Sequence, residues 1–143
     1  MENNEIIVYC DGGARGNPGP SASAFLVERS GKIIYRCAKY LGESTNNFAE
    51  YNAVFFALTW LKRNIKEINE NVKIFLDSEL VANQLNGKYK VKNSNLKVIF
   101  LKILKIEKDI GLDVEYIAIP RTKNKLADHL VNELLDSMNF KKG

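Results

Sequence analysis

The sequence is poor in the residues that build soft metal sites. It has one histidine, His129, and two cysteines, Cys10 and Cys37, with no metal-ligand spacing between them. A thiolate or imidazole cluster of the kind that holds zinc is therefore excluded. Both cysteines fall inside apolar strand patterns. Two buried thiols in a reducing compartment are expected, with a disulfide as the alternative. No apolar run approaches the roughly 18–20 residues of a membrane span. The polar start, Met1-Glu2-Asn3-Asn4-Glu5, is not that of a signal peptide. A soluble, cytoplasmic chain without membrane association follows as the expectation. Linkers, low-complexity tracts and internal repeats are also missing, and 143 residues with 45% hydrophobic content suffice for one domain with a real core.

Acidic residues are scarce in one place. Between Lys88 and Lys108 seven lysines (88, 90, 92, 97, 102, 105 and 108) stand against a single acid, Glu107. Such a block is either a solvated helix face or an electrostatic hold on an anionic polymer.

Where acids do occur, four of them have a context that explains a carboxylate. Asp11 ends the apolar run Ile6-Ile7-Val8-Tyr9-Cys10, and Asp77 ends the run Val72-Lys73-Ile74-Phe75-Leu76. Glu50 lies just inside a predicted helix that opens after Ser44-Thr45-Asn46-Asn47, and Asp128 opens the last amphipathic stretch. A carboxylate at the end of a buried strand is costly to desolvate unless something positive neutralises it. Two strand ends and two helix-borne acids, without Cys or His, point to a hard oxygen-ligated cation such as Mg²⁺ or Mn²⁺.

The order of elements follows from periodicity and punctuation. Residues 6–11 read as a strand, with Asp11, Tyr9 and Ile7 on one face and Cys10, Val8 and Ile6 on the other. The Gly- and Pro-rich residues 12–20 read as a turn. Residues 22–29 and 32–40 form two strands around Ser30-Gly31, a tight antiparallel hairpin. A helix is predicted from Asn46 or Asn47 to about Asn64, with Thr45 and the asparagines offering N-cap oxygens. A buried strand over 72–77 and a short helix over 78–86 follow. A helix over 95–110 turns Leu96, Ile99, Phe100, Ile103 and Ile110 one way and its lysines the other. A strand over 113–119, stopped by Pro120, and a helix from Lys123 to about Ser137 close the chain. Three strands in succession, then alternating helices and strands, indicate an α/β mixed sheet.

Four runs in this order resemble type 1 ribonuclease H. They are Asp11-Gly12-Gly13-Ala14-Arg15-Gly16-Asn17-Pro18-Gly19-Pro20, Thr45-Asn46-Asn47-Phe48-Ala49-Glu50-Tyr51, Asp77-Ser78-Glu79-Leu80-Val81, and Arg121-Thr122-Lys123-Asn124-Lys125-Leu126-Ala127-Asp128. The resemblance covers about residues 5–138 and is to the short archaeal and bacterial subgroup. It implies the ribonuclease H-like fold, a five-stranded mixed sheet of three antiparallel and two parallel strands flanked by helices, formed by residues 1–143 as one domain. It implies metal-dependent hydrolysis of the RNA strand of RNA–DNA hybrids, leaving 5′-phosphate and 3′-hydroxyl ends. Asp11, Glu50, Asp77 and Asp128 take the places of the catalytic acids that hold two ions. Asp11 is the expected bridging ligand, with Glu50 and Asp77 completing one site and Asp128 the other.

The same resemblance assigns substrate contacts. Gly12 and Gly13 let backbone approach the RNA 2′-hydroxyl. Asn17, Asn46, Asn47 and Asn124 supply polar contacts, and Thr45 a phosphate-pocket hydroxyl. Glu79 stands where a glutamine is common and cannot donate a hydrogen bond.

Two departures stand out. Larger relatives carry a basic helical protrusion where this chain has only Asn86 to Asn93, so Lys88, Lys90 and Lys92 are expected to supply part of its charge. Larger relatives also place a catalytic histidine before the last acid. Here Arg121 and Asn124 stand in that stretch, and His129 is read as a surface or structural residue. Arg121 binds phosphate or stabilises developing charge. A monomer acting on RNA–DNA hybrid is expected. Two alternatives stay open: a nuclease of the same fold with broader preference, for double-stranded RNA or DNA junctions, and an inactive nucleic-acid binding module.

Overall fold

The computed structural model describes residues 5–66, 68–111 and 113–139. The polar start at Met1–Asn4, read above as no signal peptide, lies outside them. Three antiparallel strands come first: β1 (Glu5–Ala14), β2 (Gly19–Arg29) and β3 (Lys32–Ser44). Ser30 and Gly31 join β2 to β3 with φ of 53° and 78°, the positive dihedrals that a two-residue hairpin turn requires. Helix α1 (Asn46–Asn64), β4 (Asn71–Leu76), α2 (Glu79–Leu85), α3 (Ser94–Ile110), β5 (Val114–Ala118) and α4 (Lys125–Asn139) follow, with a single 3₁₀ turn at Arg121–Lys123 before α4. The strand order is β3-β2-β1-β4-β5, with β1, β4 and β5 parallel. This is the five-stranded mixed sheet that the element order implied.

The sheet's two faces are covered differently. Ile6, Val8 and Cys10 on β1 and Val72, Ile74 and Leu76 on β4 point into the main core with Tyr51, Val54, Leu58, Leu61 and Ile103. Each such large side chain stabilises the fold by ~1.5–3 kcal/mol when fully removed from water. The opposite face carries small residues, Ala22 and Ala24, beneath Val131 and Leu135 of α4. Their size lets α4 lie close to the sheet at the end where Asp11 sits.

Two expectations are corrected. Residues 12–20 are not all turn: β1 continues through Gly12, Gly13 and Ala14, which pair with Ser23, Ala22 and Ser21. The ladder supplied by β2 overrides the local weakness of glycine in a strand. β3 also runs on to Ser44, absorbing two register shifts against β2. Of the cysteines, both free, Cys10 is buried and Cys37 only partly so, because β3 is the sheet edge.

Candidate active site

The acids converge because of strand register. Tyr9 pairs with Phe75 across the parallel β1–β4 ladder. Two residues further on, past the end of that ladder, Asp11 within β1 and Asp77 just beyond β4 therefore stand side by side. Glu50 reaches the same place from α1. Thr45 caps this helix, its Oγ1 accepting from Phe48 N at 3.2 Å. Ser23 Oγ on β2 donates to Ala49 O at 2.6 Å, and Gly12 N donates to Glu50 Oε1 at 3.3 Å. A Cβ on Gly12 would lie 2.3 Å from the Ala49 carbonyl carbon. Gly12 is thus the glycine that lets β1 and α1 touch. It is buried, so its requirement is packing and not the open approach to RNA expected of it. Gly13 beside it is partly exposed.

Asp11, Glu50 and Asp77 each bring a carboxylate oxygen within 4.8 Å of the others. Asp11 is 6% exposed, Glu50 5%, and the Asp77 side chain 8%. Among the described residues, Glu50 Oε2 and Asp77 Oδ2 find no hydrogen-bond partner. The electrostatic consequence is severe. Burial, then repulsion from Asp77, pushes the Asp11 carboxyl up to about 7. Burial, then Asp11 and Asp77, holds Glu50 well above the usual carboxylate range. Asp77 is also raised by burial, against the pull of the Arg121 guanidinium. Three crowded carboxylates with orphaned buried oxygens demand protons or a cation. An all-oxygen donor set of this kind fits a hard divalent ion.

The other expected residues are placed less uniformly. Asp128 lies in the first turn of α4, half-buried. It is near enough to raise Asp11 and Asp77, yet it stands outside the close group of three and accepts from Asn132 Nδ2 at 3.2 Å. Arg121 is 81% exposed, with Nε 3.9 Å from Asp77 Oδ2. That is too long for a hydrogen bond and leaves the guanidinium facing solvent beside the acids. His129 sits on the surface 3.6 Å from Glu133, as the sequence reading had it.

Asn124 is a correction. It is 1% exposed, and its Nδ2 donates to Cys10 O at 2.8 Å, while Asp128 N donates to Asn124 O at 3.1 Å. Its side chain also lowers Asp77. A buried residue tying β1 to α4 is an internal brace for the acids rather than a contact for substrate. Nothing local in the sequence signals that burial.

The remaining polar residues surround a groove of about 750 Å³ between the start of α1 and the start of α3, lined in part by Asn17, Thr45, Asn46 and Asn47. Asn17 Oδ1 accepts from Asn46 N at 2.9 Å and Asn46 Oδ1 from Ala14 N at 2.8 Å. The two asparagines thus stitch the β1–β2 loop to α1 while lining the groove. Asn93 and Asn95 line its other wall and were not singled out in the sequence. The run Asn93-Ser94-Asn95 at a helix start was the signal available. Lys88, Lys90 and Lys92 are exposed on the segment between α2 and α3, with no intervening helix.

A mixed five-stranded sheet with buried carboxylates clustered where β1 and β4 stop pairing, beside a polar groove, defines a ribonuclease H-like α/β protein whose clustered acids could hold a metal ion. The chain belongs to the RNase H family, whose family profile matches residues 3–135. It is similar to ribonuclease HI of Halobacterium salinarum, 35% identical over 92% of this chain and 64% of the relative. A bifunctional protein of Mycobacterium tuberculosis is 28% identical over 93% of this chain but only 36% of its own length. The chain thus spans about a third to two thirds of these relatives. Among solved structures, LC11-RNase H1, isolated from compost, superposes with a TM-score of 0.87 at 42% identity, covering 94% of this chain and 98% of that one. The same LC11 protein in complex with RNA/DNA hybrid gives 0.87 at 40% identity, covering 93% and 98%.

Proposed function

We propose that this protein is a ribonuclease H that hydrolyses the RNA strand of RNA–DNA hybrids, leaving 5′-phosphate and 3′-hydroxyl ends. One observation carries the reading: Asp11, Glu50 and Asp77 converge within 4.8 Å just past the β1–β4 ladder, with two buried carboxylate oxygens lacking partners. Asp11, at the centre of the group, would be shared between two ions. Glu50 and Asp77 would complete one set of ligands and Asp128 the other. Mg²⁺ or Mn²⁺ bound there supplies an activated water and charge stabilisation on both oxygens of the scissile phosphodiester.

The chain's own groups do the rest. Arg121, exposed beside Asp77, stabilises charge developing on the phosphate. Gly13, part of β1 and partly exposed, offers backbone to a 2′-hydroxyl, which only the RNA strand carries. Thr45, Asn17, Asn46 and Asn47 line the groove along which a strand would lie, and Lys88, Lys90 and Lys92 hold phosphates electrostatically. The 1–143 chain acts as one domain and a monomer in the cytoplasm.

A second reading, broader selectivity for double-stranded RNA or DNA junctions, is favoured by the short 86–93 connection, which has no helix between α2 and α3. The test is direct. Labelled hybrid, duplex RNA and duplex DNA are incubated with the protein and Mg²⁺ or Mn²⁺. Cleavage confined to the RNA of the hybrid supports the proposal, cleavage of the other duplexes supports the broader reading, and no cleavage of any overturns both.

A further inference from the structure

The segment carrying Lys88, Lys90 and Lys92 has no regular secondary structure, yet it is tightly held. At one end the Asn86 side chain donates to Tyr116 O at 2.7 Å and accepts from Tyr116 N at 3.2 Å. At the other, Asn93 Oδ1 caps α3, accepting from Asn95 N and Leu96 N. Asn83 O receives Lys88 N at 2.8 Å, and Val91 packs inward against the core.

The anchor between these ends is of a different kind. Gln84, only 8% exposed, donates its Nε2 to Lys90 O at 3.3 Å and accepts from the Tyr51 hydroxyl at Oε1. Tyr51 is fully buried in α1, the residue after Glu50. A buried carboxamide is costly unless both its ends are satisfied. Here one end is fixed by the core and the other grips the backbone of the middle lysine. With Lys90 O held and Val91 turned in, Lys90 and Lys92 are left on the outward side, and their spacing is set before any ligand arrives. Cations arranged in advance bind a phosphate backbone without the ordering cost of a loose loop.

We propose that Gln84, oriented by Tyr51, is a positioning residue for hybrid binding, holding the lysine segment in the conformation that meets the phosphates. This rests on the reading above that Lys88, Lys90 and Lys92 hold the hybrid. Two substitutions test it: Gln84→Met, which removes both bonds at similar volume, and Tyr51→Phe, which removes only the hydroxyl. Hybrid affinity is measured by anisotropy without metal over a range of salt, and the single-turnover rate with Mg²⁺ at saturating enzyme.

Each variant should raise Kd about three- to tenfold, the range expected for losing one buried hydrogen bond, with an unchanged single-turnover rate. Backbone amide exchange across residues 90–92 should accelerate. In a background with Lys88, Lys90 and Lys92 all changed to alanine, Gln84→Met should have no further effect on Kd, because the tether acts through those lysines. If Gln84→Met fails to fold, Tyr51→Phe decides alone. Unchanged Kd, a full effect persisting in the lysine-free background, or a lowered rate at unchanged Kd would each overturn the proposal. If the triple-alanine protein binds hybrid like wild type, the lysine reading itself fails and the proposal with it. If that protein is weak while Gln84→Met and Tyr51→Phe are not, the proposal alone fails.

Discussion

Asp11→Asn tests the electrostatics and the chemistry of the site with one substitution. Asparagine keeps the shape of Asp11 and adds a donor toward Glu50, but removes one of three crowded negative charges. In the wild-type protein the Asp11 carboxyl is pushed from 3.8 up to about 7. At Asp11 the folded form therefore binds more protons than the unfolded chain between about pH 4 and 7, so this group's contribution to stability falls as pH rises through that window and then stays constant. At 1.36 kcal/mol per unit, the full penalty carried by Asp11 above pH 7 is about 4 kcal/mol. Glu50 and Asp77 share the repulsion, so removing one charge should recover roughly 2–4 kcal/mol. Urea unfolding with a chelator, followed by circular dichroism at pH 5 and pH 8, measures this. Wild type should lose stability between the two pH values. Asp11→Asn should lose less and exceed wild type at pH 8, while cleaving hybrid at a negligible rate with Mg²⁺. Equal stability at pH 8, or cleavage near the wild-type rate, would refute the argument.

Gly12→Ala should destabilise the fold by about 3 kcal/mol or more, because the new methyl would meet the Ala49 carbonyl carbon at 2.3 Å and Glu50 N at 2.5 Å. Gly13→Ala, whose Cβ would find its nearest neighbour at 3.8 Å, should stay within about 1 kcal/mol by the same reasoning, and thermal melts compare the two. Adding Mg²⁺ to the metal-free wild type at pH 8 should raise Tm by several degrees through linkage, about 2.7 kcal/mol at one hundred times Kd, and Glu50→Gln should blunt that rise. Arg121→Ala should lower the single-turnover rate roughly 10- to 1000-fold, with Arg121→Lys recovering only part for lack of a bidentate fork. A change in affinity alone would make Arg121 a substrate anchor.

The helices and most strands were legible because their signals are local. Phe48, Tyr51, Phe55, Leu58 and Leu61 repeat at helical spacing, Thr45 caps in the expected place, and Ser30-Gly31 has the dihedrals its type predicts. Asp77, Glu50 and Asp128 were legible because strand ends and helix starts are, and Asp11 because it closes an apolar run, although β1 continues past it to Ala14. What escaped was set by partners distant in sequence. Gly12 and Gly13 read as strand breakers, since nothing nearby announces that β2 will pair with them and α1 will press on Gly12. Asn124 read as a substrate contact, since the carbonyl its side chain bonds belongs to Cys10, 114 residues away. Gln84 drew no attention at all, because the hydroxyl and carbonyl that satisfy it belong to Tyr51 and Lys90.

The placement of β1 has a consequence for the order in which the molecule is made. Its first neighbour, β2, follows at once in the chain, but its second edge waits for β4, which begins only at Asn71. A chain emerging from the ribosome can form the β1–β2–β3 meander early, since those pairings are close in sequence. It then holds Asp11 but neither Asp77 nor the α4 turn that carries Asp128. The acidic centre closes only when nearly the whole chain is present and the parallel ladder has zipped. A copy cut short before β4 would therefore keep the antiparallel meander with Asp11 while lacking the partners that complete the acidic group.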